Sequence, residues 1–214
     1  MMKHQTIPLF ALPVTRIDVD CDGIAEFFDS VVKPSKGRSN TDGTTGYATP
    51  LIHYHNDQNV FDIYDELKDF GDRILEASNF VYRNVMNHDT ELRITNAWFN
   101  ECDVGGRQYM HNHCNSAISG TIYLRTDQHS YLQFHSPYGM NDFGNLLLDE
   151  PNTKRPNQFG YSHHFKIVTY KVEDGACLFW PSHLRHGYTE NLTPQRLSLS
   201  FNFLPTTFNC VYKS

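Results

Sequence analysis

The sequence predicts a mainly β protein with supporting α-helices, whose strands form a sandwich or barrel of the jelly-roll type. From residue 92 onward, short apolar segments alternate with turn signals at the spacing that such strands have. One long segment before them has apolar residues at helical intervals instead. Histidines stand at the borders of the predicted strands, so the same part of the chain predicts a barrel and a site within it.

Six strands are predicted in the C-terminal part of the chain. They span residues 92–100, 119–125, 130–135, 164–173, 176–180 and 196–204. Turn-forming residues separate them, as in Gly105-Gly106 and Asn191-Leu-Thr-Pro194. The segment from Gly139 to Gly160 has stretches rich in Asn, Asp and Pro, and we expect a long insertion there, near the mouth of the barrel.

The N-terminal segment predicts an edge strand followed by a short helix. Residues Ile7–Val19 alternate loosely, and Pro8 and Pro13 cannot donate to a strand ladder, which favours an edge position. Residues Asp22–Val32 then predict a helix that ends before Pro34.

A loop and a long helix are predicted next. Residues 35–50 are rich in Gly, Ser, Thr and Asn, which indicates a mobile loop. Residues 58–86 have apolar side chains at intervals of three and four, which predicts one helix. Its apolar stripe is expected to cover one face of the sheet.

Length and composition indicate a globular chain. With 214 residues, 14% aromatic and 20% charged, the chain can bury a sizeable core. We expect a single domain over residues 1–214, with an N-terminal strand and supporting helices in 1–91 and a jelly-roll core in 92–214. The net charge of −6 leaves no basic footprint, so nucleic acid is not expected as a partner.

Cysteine usage and hydropathy predict a cytoplasmic protein without membrane association. No segment has the apolar length of a secretory signal or of a membrane span. The five cysteines are widely spaced and odd in number, and no Cys-x-x-Cys pair occurs, which favours reduced thiols; they are Cys21, Cys102, Cys114, Cys177 and Cys210. The sequence predicts no particular oligomeric state.

Three histidines form the candidate metal site. His111 and His113 are two residues apart, and such side chains point to the same side of a strand, so both imidazoles can reach one metal ion. His186 is the expected distal ligand in preference to His183, because Arg196 follows His186 by ten residues. Neutral imidazoles bind divalent iron well, and three ligands on one face leave positions for oxygen and a chelating keto acid.

Arg196 and Ser198 form the candidate anion site. They lie two apart on the last predicted strand and therefore face the same side. A guanidinium makes a planar two-point contact with a carboxylate, and a hydroxyl adds a third hydrogen bond. Tyr123 and Tyr109 are further candidate hydroxyl donors to the same carboxylate.

These residues lie in segments that resemble the iron(II)- and 2-oxoglutarate-dependent oxygenase superfamily, and within it a group of bacterial and phage proteins. The resemblance covers roughly residues 92–204, and its segments are Trp98–Asn100, Gln108–His113, Ser119–Leu124, Gly175–Ser182, His186 and Arg196–Asn202. It implies a double-stranded β-helix with Fe(II) at one end, and 2-oxoglutarate and O2 as co-substrates. The Arg/Ser pair is similar to the one with which such enzymes hold the far carboxylate of 2-oxoglutarate.

The sequence departs from the superfamily at one expected iron ligand. The ligand set of these enzymes is His-x-Asp/Glu with a distal His, and here His113 stands in place of the carboxylate. Three arrangements are open: a three-histidine site, a two-histidine site with water or another oxygen ligand, or a carboxylate from elsewhere, such as Asp103. The spacing of His111 and His113 favours the first.

The resemblance implies a dioxygenase that hydroxylates a C–H bond of a peptide side chain or of a small molecule. One alternative is a thiol dioxygenase or related cupin enzyme with three histidines and no need of 2-oxoglutarate. Another is a non-catalytic jelly-roll binding module. We expect the loop at 35–50 and the insertion at 139–160 to frame the substrate entrance, because long loops of compact domains are often functional.

Overall fold

Two antiparallel β-sheets and a layer of short helices make up the part of the chain that the computed structural model describes, residues 12–41, 48–137 and 167–207. The strands are β1 (Thr15–Asp18), β2 (Arg38–Thr41), β3 (Ala48–Tyr54), β4 (Leu92–Cys102), β5 (Gln108–His111), β6 (Ile118–Arg125), β7 (Tyr131–His135), β8 (Ile167–Lys171), β9 (Ala176–Pro181), β10 (His186–Tyr188) and β11 (Arg196–Pro205). The helices are α1 (Ile24–Phe27), α2 (Val60–Ile63) and α3 (Lys68–Asn84). A π-helical turn at Phe28–Val32 and a 3-10 turn at Lys33–Ser35 extend α1.

The strand order confirms the predicted jelly roll. The larger sheet has the order β1-β9-β6-β11-β4-β3-β2, and the smaller has the order β5-β10-β7-β8. Every named strand pair is antiparallel, and from β4 onward the chain passes from one sheet to the other at each connection except that between β7 and β8. Strands β1, β2 and β3, which precede residue 92, belong to the larger sheet.

Apolar and polar residues alternate strictly along β11, so the two faces of the larger sheet differ in character. The apolar side chains of this strand are fully buried on the side of the helices; they are Leu197, Leu199, Phe201 and Phe203. The polar side chains between them line a cavity between the two sheets; they are Arg196, Ser198, Ser200 and Asn202. The period-two pattern of the sequence thus sets a dry face and a polar face on one strand.

Two apolar clusters support these faces. The larger one joins the helices to the larger sheet and includes Phe28, Ile74 and Phe99. The smaller one lies between the sheets and includes Leu132, Phe134, Leu178 and Trp180. The cavity lies beside the smaller cluster, since Leu132 and Trp180 line it together with polar residues of β4 and β11.

The predicted helix at 58–86 is wrong at its first turns. Helix α2 ends at Ile63, Tyr64 has an extended backbone (φ −116°, ψ 111°), and a 3-10 turn at Asp65–Leu67 precedes α3. The Tyr64 hydroxyl lies 3.0 Å from Nε2 of His55, and its ring packs edge-on against Phe27. The sequence around Tyr64 has helical spacing of apolar residues and no helix breaker. These tertiary contacts nevertheless outweigh the local preference for a continuous helix.

The predicted loop at 35–50 is wrong in part. Arg38–Thr41 forms β2, and its pairing with β3 makes it the outer strand of the larger sheet. An outer strand buries few side chains, so its sequence carries no apolar alternation that would predict it. Residues 42–47 of this loop lie outside the described residues.

The edge strand and the later strands are placed much as expected. Strand β1 is the other outer strand of the larger sheet, although residues 7–11 of the predicted strand lie outside the described residues. The predicted insertion at 139–160 and Cys210 also lie outside the described residues. Within the described part of the chain, no helix combines the length and the apolar character needed to cross a membrane.

Phe99→Ala is expected to lower the free energy of unfolding by about 3–5 kcal/mol, because it removes a fully buried ring from the larger cluster. The matched control is Phe80→Ala on α3, where the ring is 56% exposed and the change should cost far less. Urea unfolding of both variants measures the difference. Equal losses in the two variants would contradict the described core.

Candidate metal centre

Three histidine side chains meet at one end of the cavity. The ligand nitrogens of His111, His113 and His186 all lie within 4.8 Å of one another. The ring centroids are 4.4 Å apart for His111 and His186, 5.0 Å for His111 and His113, and 5.2 Å for His113 and His186. The structure therefore brings together the three histidines singled out from the sequence, with spacing that suits a single metal ion.

Strand pairing positions two of these histidines. Strand β10 lies between β5 and β7, and His186 is directly opposite His111 in the β5–β10 pair. Gly187 permits this pairing, because a Cβ atom there would lie 2.5 Å from the main-chain oxygen of Gln108. The distal histidine thus comes from the strand next to that of His111.

His113 is held differently from His111. Strand β5 ends at His111, so the expectation that both side chains project from one strand is not met. The main-chain N–H of His113 donates to the carbonyl of Ser182 over 3.0 Å, and the Asn202 amide nitrogen lies 3.4 Å from its Nδ1. The loop after β5 is therefore fixed to the connection between β9 and β10.

Main-chain carbonyls set the tautomers of His111 and His186. Nδ1 of His111 donates to the carbonyl of Tyr109 over 2.8 Å, and Nδ1 of His186 donates to that of Leu184 over 3.0 Å. A neutral imidazole that donates from Nδ1 carries its lone pair on Nε2. Both rings therefore present Nε2 as the ligand atom.

Burial keeps the three imidazoles neutral. It lowers the pKa of His186 to about 3, with a further contribution from His111. Burial and the neighbouring His111 lower the pKa of His113 to about 4. The pKa of His111 is also lowered by burial. At neutral pH a metal ion therefore does not have to displace a proton from these side chains.

Arg196 and Ser198 line the same cavity as the histidines. Its volume is about 270 Å³, and residues of both sheets line it. In the larger sheet Ser198 pairs with Asn100 of β4 and with Tyr123 of β6, and Arg196 lies one cavity-facing position further along β11. The structure therefore places the predicted anion site and the histidine cluster in one chamber.

Arg196 is a buried cation without a counter-charge among the described residues. It is 5% exposed, Nη2 donates to the carbonyl of Tyr131 over 3.0 Å, and Nε has no hydrogen-bond partner. The guanidinium carbon lies 4.4 Å from the ring centre of Tyr188 and 5.2 Å from that of Tyr123. An unneutralised buried cation is costly, so this environment favours binding of an anion.

The two tyrosines predicted beside Arg196 differ in position. Tyr123 is 1% exposed, lines the cavity and lies against the guanidinium. Tyr109 is 42% exposed on β5 and does not line the cavity, and the guanidinium of Arg107 lies 5.8 Å from its ring centre. Only Tyr123 of this pair is positioned to face a ligand of Arg196.

Other candidates from the sequence lie outside the cavity. Asp103 is exposed, and its carboxylate accepts from the main-chain N–H groups of Val104 and Gln195. His183, the histidine left out of the ligand set, is exposed, and so is Cys114. Among the described residues that line the cavity, none is a carboxylate.

A hydrogen-bonded row of side chains crosses the cavity and was not predicted. Nδ1 of His53 lies 2.6 Å from Oδ1 of Asn100, whose Nδ2 donates to Ser200 over 2.9 Å. The hydroxyls of Ser200 and Thr121 are 2.8 Å apart. Alternation along β4 and β11 could have indicated Asn100 and Ser200, whereas His53 lies on β3, in a part of that strand for which the sequence predicts no element.

Acidification of the metal-free protein from pH 6.5 towards 3 is expected to lower its free energy of unfolding. The pKa of His186 is about 3 in the folded protein, against an ordinary value of 6.5, so in this window the unfolded chain binds more protons. Stability present above pH 6.5 is thus lost as pH falls, by up to about 1.4 kcal/mol per pH unit from this side chain.

Urea unfolding measured at several pH values tests this with His186→Gln, which should show a shallower pH dependence than the wild type. The matched control is His183→Gln, whose side chain is exposed and whose replacement should leave the slope unchanged. Equal slopes for His186→Gln and the wild type would show that His186 is not held neutral by burial.

Among the solved structures that share the fold of this chain are SnoN, HygX and a prolyl-4-hydroxylase. SnoN, the non-haem α-ketoglutarate-dependent epimerase of nogalamycin biosynthesis, is 14% identical, with 91% of this chain and 77% of that chain covered and a TM-score of 0.60. HygX from Streptomyces hygroscopicus, with nickel and 2-oxoglutarate bound, is 15% identical (91% and 84% covered, TM-score 0.56). A prolyl-4-hydroxylase from Pseudomonas putida is 11% identical (91% and 93% covered, TM-score 0.51).

The family model described as "Putative 2OG-Fe(II) oxygenase" matches residues 96–202, which is half of the chain. No curated protein matches the sequence at a significant level. The matched region begins in β4 and ends in β11, so it contains the three histidines and the Arg196/Ser198 pair. The chain belongs to this family and is a 2-oxoglutarate- and iron(II)-dependent oxygenase.

Proposed function

We propose that His111, His113 and His186 bind the iron, that Arg196 and Ser198 bind the far carboxylate of 2-oxoglutarate, and that the enzyme hydroxylates a C–H bond. The observation that carries this proposal is the presence of three neutral imidazoles and one unneutralised guanidinium in a single cavity of about 270 Å³. The imidazoles can bind a metal cation and the guanidinium can bind an anion. Iron(II) and 2-oxoglutarate, which the family uses, are such a cation and such an anion.

The donor set fits ferrous iron. Imidazole nitrogen is a good ligand for iron(II), and the Nε2 atoms of His111 and His186 are freed by the carbonyls that accept from Nδ1. His113 is the proposed third ligand. The carboxylate of Asp103, the alternative from elsewhere in the chain, lies at the surface and already accepts two main-chain hydrogen bonds. A three-histidine site is therefore favoured over one completed by a remote carboxylate.

The anion site fits the far end of a dicarboxylate. Arg196 has an unpartnered Nε, and no carboxylate of the described residues competes for its charge. Ser198 lies on the same face of β11, and Tyr123 lies beside it on β6. A guanidinium with adjacent hydroxyls gives the charge-assisted hydrogen bonds that a carboxylate needs in a buried site.

Bound iron and 2-oxoglutarate together supply the chemistry, in which O2 is consumed, the keto acid is converted to succinate and carbon dioxide, and a substrate C–H bond is oxidised. The residues of the chain contribute position and shielding. Arg196 and Ser198 orient the co-substrate, while the carbonyls of Tyr109 and Leu184 orient two of the histidines. The rings of Trp180 and Phe134 flank His186 and exclude water from that side.

The substrate is proposed to be a peptide side chain or a small molecule. Similar folds serve both kinds, since one of the solved structures is a prolyl-4-hydroxylase and another is HygX with hygromycin B bound. Uncharged polar groups of this chain face the cavity beside the histidines, including His53, Asn96 and Asn100. They can accept and donate hydrogen bonds to a substrate held near the metal.

The two alternative functions are less favoured. A thiol dioxygenase with three histidines needs no dicarboxylate clamp at the place of Arg196 and Ser198, and a binding module without chemistry has no use for the histidine cluster. Anaerobic titration of the iron-loaded protein with 2-oxoglutarate tests the proposed function. A visible metal-to-ligand charge-transfer band supports it, and the absence of both the band and any binding of 2-oxoglutarate would contradict it.

His111→Ala and His186→Ala are each expected to abolish stoichiometric iron binding, because two imidazoles do not hold the ion as three do. The fold should persist, since these side chains lie at the cavity and not in the larger cluster. Iron content after anaerobic loading measures the effect, with circular dichroism as the check on folding. The matched control is His183→Ala, which should retain full iron occupancy.

His113→Asp is expected to retain iron, because it restores the carboxylate that the superfamily places two residues after the first histidine. His113→Ala should lose it. The comparison of these two variants by iron titration isolates the third ligand position. If His113→Ala binds iron as tightly as the wild type does, a different group completes the site.

Arg196→Ala is expected to weaken 2-oxoglutarate binding by roughly 2–4 kcal/mol, the scale for removing one partner of a desolvated charge pair. Arg196→Lys should rescue only part of the loss, because an ammonium lacks the planar two-point geometry. Anaerobic titration of the iron-loaded variants provides the dissociation constants. The control is Arg125→Ala, whose guanidinium pairs with Asp29 outside the cavity. Unchanged affinity in Arg196→Ala would remove Arg196 from the site.

A further inference from the structure

The guanidinium of Arg196 lies between two aromatic rings. Its central carbon is 4.4 Å from the ring centre of Tyr188 and 5.2 Å from that of Tyr123. Both distances are within the range at which a cation is attracted to the face of an aromatic ring. Tyr188 is the nearer of the two.

The ring of Tyr188 has a fixed position. Tyr188 is 8% exposed and forms a buried cluster with Leu51 of β3 and Cys102 of β4, against which Tyr131 packs. Tyr131 also supplies the carbonyl that accepts from Arg196. Contacts from β3, β4 and β7 therefore fix the ring against which the guanidinium lies.

Strand β10 links this ring to the metal centre. It has only three residues, His186, Gly187 and Tyr188, and the first and last point to the same side because they are two apart. His186 and Tyr188 both line the cavity. A single short strand thus carries one proposed iron ligand and the ring that contacts the proposed carboxylate ligand.

An aromatic partner suits a cation that must bind an anion. A carboxylate beside Arg196 would stabilise its charge but would compete with the carboxylate of the co-substrate. A ring face stabilises the charge through its quadrupole and leaves the hydrogen-bond donors of the guanidinium available. Among the described residues Arg196 has no acidic partner, in agreement with this division of roles.

We propose that Tyr188 is a positioning residue that holds Arg196 through its ring face and thereby sets the affinity for 2-oxoglutarate. This inference rests on the proposed co-substrate site. The hydroxyl of Tyr188 is not required for the role, because the contact is between the guanidinium and the ring.

Equilibrium binding of 2-oxoglutarate to the iron-loaded protein under anaerobic conditions tests the proposal. Tyr188→Leu should weaken binding about tenfold, and Tyr188→Phe should stay within about twofold of the wild type because it keeps the ring. Tyr188→Met, which fills a similar volume without a ring, should match Tyr188→Leu and serves if the latter does not fold. A loss in Tyr188→Phe as large as in Tyr188→Leu, or no loss in any variant, overturns the proposal.

A double-mutant cycle shows whether Tyr188 acts through Arg196. Adding Tyr188→Leu to Arg196→Ala should produce no further loss of affinity, because the group that the ring positions is absent. Additive losses would mean that Tyr188 contacts the co-substrate or shapes the cavity directly, and would overturn the proposal. If Arg196→Ala itself leaves the affinity unchanged, the proposed co-substrate site fails. If Arg196→Ala weakens binding and Tyr188→Leu does not, only the present inference fails.

A spectroscopic readout is independent of iron and 2-oxoglutarate. Ring currents should shift the Nε–H proton of Arg196 upfield in the wild-type protein, with the resonance assigned by its loss in Arg196→Lys. The shift should persist in Tyr188→Phe and shrink in Tyr188→Leu. The matched control is Tyr82→Leu, which removes a buried ring of α3 that is remote from the cavity and should change neither the shift nor the affinity. An unshifted Nε–H resonance in the wild type overturns the proposal.

Discussion

The pairing of β10 with β5 is the interaction on which the site depends. It sets His186 opposite His111, and through the two-residue period of a strand it also directs Tyr188 towards Arg196. Gly187 makes the pairing possible, since any side chain there would meet the main chain of β5. Strand β10 has too few residues to be stable alone, so β5 and β7 on its two sides determine its position.

The buried groups of the site lower the stability of the metal-free protein. Three imidazoles are kept neutral by burial, as the lowered pKa values of His186 and His113 indicate, and Arg196 is buried without a counter-charge among the described residues. The larger apolar cluster on the opposite face of the sheet compensates for this cost. Iron and 2-oxoglutarate would bind only the folded state, so both cofactors should also stabilise it in proportion to their concentrations.

Much of the fold could be predicted because its central strands alternate between apolar and polar residues. On β11, Leu197 and Phe201 mark the helix side and Ser198 and Ser200 mark the cavity side, and this pattern is visible without a structure. Strands β2, β5 and β10 carry no such pattern, because they are short and their pairing depends on neighbours distant in sequence. Tyr188 was missed for that reason, and His53 was missed because β3 was not predicted. The break at Tyr64 was missed because contacts with His55 and Phe27 cause it, and the local sequence contains no signal for it.

The histidine at position 113 changes the charge of the proposed centre. With an aspartate there, the charges of iron(II), the ligand carboxylate, 2-oxoglutarate and Arg196 would sum to zero. Three neutral imidazoles leave the same assembly with one positive charge, in a cavity where no described residue supplies a carboxylate. Before the co-substrate binds, the excess is larger, because both the metal and Arg196 are then uncompensated. Attraction between these two centres and the two carboxylates of 2-oxoglutarate is therefore stronger than in a site with a ligand carboxylate. A guanidinium that lies against ring faces, and not against an acid, preserves that attraction within the cavity.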